Sequence, residues 1–192
     1  MSTSSRPISR VSDQLFLKPW VGIVFVLCLS FLFKVALRLF LSQNMNFWES
    51  GYSFYYKMAL NFLQTGELYL QNGHGLYLAE KLYAIRTPIY PLFIAIIGKL
   101  THFSVVTFVA VQALISTLTA VIVYKITARF SSKTAFLSAS LYAFYPYSLF
   151  HDTQLQENAL YNFLSLVSVW CLLISVEQRK NLFSLMAGLA LG

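Results

Sequence analysis

From Pro19 to Leu41 the chain carries only two charges, Lys34 and Arg38, in an otherwise apolar run. Roughly 20 apolar residues in a helix span the hydrocarbon core of a bilayer, so this run has the length of a transmembrane helix. Further long apolar runs cover about 103–128, 135–150 and 159–176, and another begins near Leu182. Only 11% of the residues are charged and 57% are hydrophobic, against roughly 25% charged in soluble domains. The runs and the composition together exclude a soluble core. They predict an all-α, multi-pass transmembrane helical bundle, with membrane helices at about 19–41, 103–128, 135–150, 159–176 and, as a first part only, 182–192.

The net charge of +7 does not point to nucleic acid. Lys and Arg are spread over the short connections between apolar runs, where orientation signals lie, and no nucleic-acid-binding motif accompanies them. Cys28 and Cys171 both fall inside apolar runs, so neither a disulfide framework nor a CxxC metal site follows. Residues 1–18 are Ser-rich and basic, and read as a cytoplasmic tail. The apolar run after them is longer than a signal-peptide core and has no small-x-small cleavage site, which predicts an uncleaved first helix. Lys34 and Arg38 share one face of that helix at i, i+4 spacing. Two readings are open: snorkelling to the far interface, favoured at this point, or a cationic face turned toward an anionic ligand.

The stretch from Asn46 to Leu100 is too polar and broken to cross as one helix. It contains Glu49, Glu67 and Glu80, three of the seven acids in the chain. Between Ser53 and Gln64 the residues Phe54, Tyr55, Met58, Ala59, Phe62 and Leu63 recur on one face, opposite Lys57, Asn61 and Gln64. That is the pattern of a helix lying in the interface, with Gly66 as its stop. A polar loop around Gln71–Gly75 follows. The apolar run 88–100 reaches only about 20 Å as a helix, too short for a bilayer of roughly 30 Å. It is expected to be a second interfacial or re-entrant helix. If it does not cross, the basic tail, the Arg129–Lys133 turn and the Arg179–Lys180 turn share one side, in keeping with the positive-inside rule. The acid-bearing stretch and the segment Tyr145–Asn158 share the other.

Glu49 follows Phe47 and Trp48 at the outer end of the first helix, a position for a general base or a metal ligand as much as for a plain loop acid. Arg86 precedes Thr87 and Pro88, where the second interfacial helix begins, and a guanidinium at a helix N-terminus suits a phosphate as well as simple anchoring. His151, Asp152 and Glu157 lie within seven residues on the second outer loop. They are candidates for the opposite wall of one site, and Glu157 also has the position of a helix-start acid. No nucleophile motif, P-loop or metal-spaced His/Cys cluster is present.

An acid outside the first helix, then YYKMALNFLQTGELY, then RTPIYPLFIAIIGKL, resembles the first outer loop of GT-C glycosyltransferases. The branch is that of the protein O-mannosyltransferases and lipid A aminoarabinose transferases (glycosyltransferase family 39). The YP near the end of the third helix, Glu157 opening the next, and the closing MAGLALG extend the resemblance over about Phe33–Gly192. It implies an inverting membrane enzyme that takes a sugar from a polyprenyl-phosphate donor to an acceptor hydroxyl on a lipid, glycan or protein, on the extracytoplasmic face of the plasma or inner membrane. Carried over, Glu49 is the catalytic acid, either activating the acceptor or binding a divalent cation. Arg86 meets the lipid phosphate. Beside what the resemblance implies, Tyr55, Arg38, His151, Asp152 and Glu157 are this chain's own candidates for substrate binding. Relatives place the acid where this chain has Gly51 or Tyr52, slightly later than Glu49. They also carry about twice as many helices, so the chain reads as the N-terminal part of such an enzyme. A non-catalytic scaffold, or a component that binds or flips lipid-linked sugars, is the alternative from another class.

Overall fold

The computed structural model describes residues 19–41, 46–49, 52–71, 80–83 and 87–191. Among these are eight α-helices and one two-stranded sheet: α1 (Pro19–Leu41), a 3₁₀ turn (Phe47–Glu49), α2 (Ser53–Thr65), β1 (Tyr69–Gln71), β2 (Lys81–Tyr83), α3 (Ile89–Thr101), α4 (Val105–Thr127), α5 (Ser132–Ala143), α6 (Pro146–His151), α7 (Asn158–Gln178) and α8 (Asn181–Leu191). Among the described residues, three helices are long and apolar enough to cross a membrane, α1 over Val21–Leu41, α4 and α7. Their outer faces expose large apolar side chains such as Phe25, Leu32, Leu118 and Val176. Lipid, not water, is the solvent that such faces suit.

α4 is the central post and packs against α1, α3, α5 and α7. Its inward face is built of small residues, Ala113, Ser116 and Ala120, all buried, which let neighbouring backbones approach closely. Ser30 of α1 donates to the Ala143 carbonyl at the end of α5, at 2.7 Å. In the apolar run 135–150 the structure has two helices where the sequence predicts one. Pro146 lacks an amide hydrogen and is favoured in the first turn of a new helix, so the chain breaks at Phe144–Tyr145 and restarts as α6.

Two interactions mark the two ends of the bundle. At one end, Trp48 just after α1 donates its indole N–H to the Phe103 carbonyl just before α4, at 3.2 Å. At the other, Arg129 after α4 pairs with Glu177 at the end of α7, at 3.1 Å. The segment between Trp48 and Phe103 therefore leaves and returns at one end. Within it, α2 and α3 pack on each other and on the first turns of α4, around a core of Phe47, Trp48, Tyr55, Tyr90, Ile94 and Phe108. The reversal from α3 to α4 passes through His102 and Phe103, both in the left-handed region. It closes because the Phe103 ring lies where a Cβ on Gly98 would stand. The predicted polar loop starts later than expected. Gln71 belongs to β1, which pairs antiparallel with β2, and Asn61 of α2 donates to the Tyr69 carbonyl at 2.9 Å. That tie supports a ribbon too short to be stable alone.

Candidate functional site

About two turns inside the end of α1, and midway along α4, the helices bury a chain of polar side chains. Lys34 is 1% exposed and donates to Asp152 Oδ2 at 2.9 Å. Ser116 of α4 donates to the same oxygen and accepts from Lys34, while Asp152 Oδ1 has no partner. The favoured snorkelling reading of Lys34 is corrected here. A carboxylate from the α6–α7 connection reaches the ammonium inside the bundle, so the side chain has no need of the interface. A charge at this depth costs about 2.5–3.5 kcal/mol on an insertion scale, and such groups persist in membranes by pairing.

Arg38, one turn further along α1, is 3% exposed. Its Nη1 donates to Gln154 Oε1 at 3.3 Å, and its guanidinium lies 4.6 Å above the Phe47 ring. Among the described residues, Nε and Nη2 have no partner. On the other side of α4, Gln112 Nε2 donates to the Tyr90 hydroxyl at 3.3 Å and to the Gln156 carbonyl at 3.2 Å. The Gln156 side-chain oxygen in turn meets His151 Nδ1 at 2.7 Å and accepts from Asn158 at 2.9 Å. Glu157, half-buried at the N-cap of α7, opens into a cleft of about 130 Å³ with Thr87, Tyr90, Leu160 and Tyr161 on its walls.

The predicted site residues thus occupy different places. Asp152 faces inward to Lys34, His151 is held by Gln156, and Glu157 faces the cleft. Tyr55 is fully buried with its ring edge-on to Tyr90 at 4.9 Å. Glu49 is exposed at the end of the 3₁₀ turn and forms no ion pair among the described residues. Arg86 lies outside the described residues. The described residues gather no set of three His, Cys, Asp or Glu side chains fit to hold a metal. Sequence reading passed over Gln112, Ser116 and Thr119, all buried on one face of α4. Their i, i+4, i+7 spacing inside an apolar run was the available signal.

No curated protein and no solved structure matches the chain. The sequence pattern of the dolichyl-phosphate-mannose-protein mannosyltransferases matches residues 85–192, which hold α3 to α8, the Ser116–Asp152 contact and the Glu157 cleft. This multi-pass membrane protein belongs to that family of GT-C glycosyltransferases.

Proposed function

We propose that the chain supplies the extracytoplasmic site at which a sugar leaves a polyprenyl-phosphate donor for an acceptor hydroxyl. The acceptor oxygen attacks the anomeric carbon as the bond from that carbon to the phosphate oxygen breaks, with inversion. Glu49 takes the hydroxyl proton, and the polyprenyl phosphate departs toward Arg86. Glu157 and the ring of Tyr90 border the cleft that receives polar groups of the substrate. His151 and Asp152 fix the α6–α7 connection that carries Glu157. The bundle sits in the inner or plasma membrane with its N-terminus in the cytoplasm, so that Glu49 and the Glu157 cleft face outward.

The observation that carries this reading is that Glu49, which follows α1, and Glu157, which opens α7, both lie away from the end fastened by Arg129 and Glu177. A general base contributes about 10²–10⁴-fold to rate. Glu49→Gln is therefore expected to lower sugar transfer by at least about 100-fold while membrane insertion and expression stay as in the wild type. Transfer by this variant at the wild-type rate would assign catalysis elsewhere and favour a role in binding lipid-linked sugar.

A further inference from the structure

A second recess lies across α4 from the Glu157 cleft. It is a groove of about 240 Å³ between the outer half of α1 and the first turns of α4, walled by Val35, Arg38, Leu39, Phe47, Val105 and Val109. It shares no lining residue with the Glu157 cleft. Its rim residues Leu39 and Val106 are about half exposed, on faces of transmembrane helices, so the groove opens sideways to lipid.

Among the described residues on these walls, Arg38 is the single charged group. A guanidinium carries five N–H donors and keeps its charge at all relevant pH. Here one nitrogen is used on Gln154, while Nε and Nη2 are buried without an acceptor. None of the ion pairs among the described residues includes Arg38: Asp152 pairs with Lys34, Glu67 with Lys81 and Glu177 with Arg129. The contact with Gln154 and the Phe47 ring holds the guanidinium on the wall of the groove.

We infer that this groove binds the phosphodiester of a bilayer glycerophospholipid, with an acyl chain lying along Val35, Val105 and Val109. The Nε–Nη2 edge is a planar fork that matches two phosphate oxygens. One guanidinium charge balances one phosphodiester charge. Arg38 stands about 4.5 Å, three residues, before the end of α1, a depth where headgroups lie. The apolar walls below it have the character of an acyl chain. The site is independent of the proposed transfer reaction, because α4 separates it from the Glu157 cleft.

Native mass spectrometry of the full chain, purified in mild detergent from membranes, tests this. The wild type is expected to retain one phospholipid per chain. Val106→Trp fills the groove from its lipid-exposed rim without touching the packed interior, and is expected to abolish retention. Arg38→Gln is expected to weaken it about tenfold or more, through loss of the charge-assisted bonds. No retained phospholipid on the wild type, or a wild-type load on Val106→Trp, would overturn the inference. So would one-for-one displacement by a short-chain polyprenyl phosphate, which would make the groove a carrier site; retention in its presence supports the phospholipid.

Discussion

Lys34 and Asp152 are 118 positions apart in the chain and meet inside the bundle, with Ser116 completing the contact. Each charge is tolerable at that depth only because the other is there. Removing one partner of a buried pair leaves an uncompensated charge and costs about 3–5 kcal/mol, whereas replacing both with apolar or neutral groups of similar size costs far less. Lys34→Met and Asp152→Asn are each expected to destabilise the protein by about 3–5 kcal/mol. The double variant is expected to be more stable than the sum of the singles implies. Unfolding in detergent by increasing SDS fraction measures all three, and additive losses would mean that the pair is not coupled. At this scale the sequence showed half of the arrangement. Lys34 and Arg38 at i, i+4 in an apolar run announce a cationic helix face. The partner was not legible, because periodicity within α1 says nothing of which other segment faces it. Snorkelling was then the cheaper guess.

Among the elements, length and punctuation were the reliable signals. Thirteen residues make α3, as its short apolar run indicates, and Gly66 ends α2 in a left-handed conformation. The β1–β2 ribbon escaped notice because three-residue strands leave no alternating pattern to count. Its closure is electrostatic. Glu67 accepts from Lys81 Nζ and from the Tyr83 hydroxyl, both at 2.9 Å. The bond from Lys81, then that from Tyr83, hold the Glu67 carboxyl below its ordinary range, and the bond to Glu67 holds the Lys81 ammonium above its own. A depressed carboxylate stabilises above its ordinary pKa and loses that contribution as pH falls through the folded value. A raised ammonium does so below its ordinary pKa and loses it as pH rises through the folded value. The clip is therefore closed across neutral pH and opens in acid and in strong alkali. All three groups are fully solvated, so the effect is local. Amide resonances of Leu70 and Leu82 followed by NMR are expected to shift in acid in the wild type. In Glu67→Gln they are expected to resemble the acid form already at pH 7. Identical spectra for the two proteins at pH 7 would show that the clip does not hold the ribbon.

For the whole molecule, the deciding question is how many times the chain crosses. The bond from Trp48 to the Phe103 carbonyl and the ion pair of Arg129 with Glu177 give each end of the bundle its own fastening. With α3 returning to the end it started from, the turns at Arg129–Lys133 and Arg179–Lys180 both lie at the end opposite Glu49. Lys and Arg in short loops favour the cytoplasmic side, which supports the proposed orientation, with the end bearing Glu49 and the Glu157 cleft outward. The reading is tested with single cysteines in a background where Cys28 and Cys171 are serine. Lys57 lies exposed on α2 and Ser132 lies exposed at the start of α5. In intact cells a membrane-impermeant maleimide is expected to label Lys57→Cys and to leave Ser132→Cys untouched until the membrane is opened. Labelling of Ser132→Cys from outside would mean that α3 crosses or that the bundle is inverted. Inversion would move Glu49 inside, whereas a crossing α3 would leave Glu49 outside and move the Glu157 cleft inside; either way the extracytoplasmic site proposed for sugar transfer would be lost.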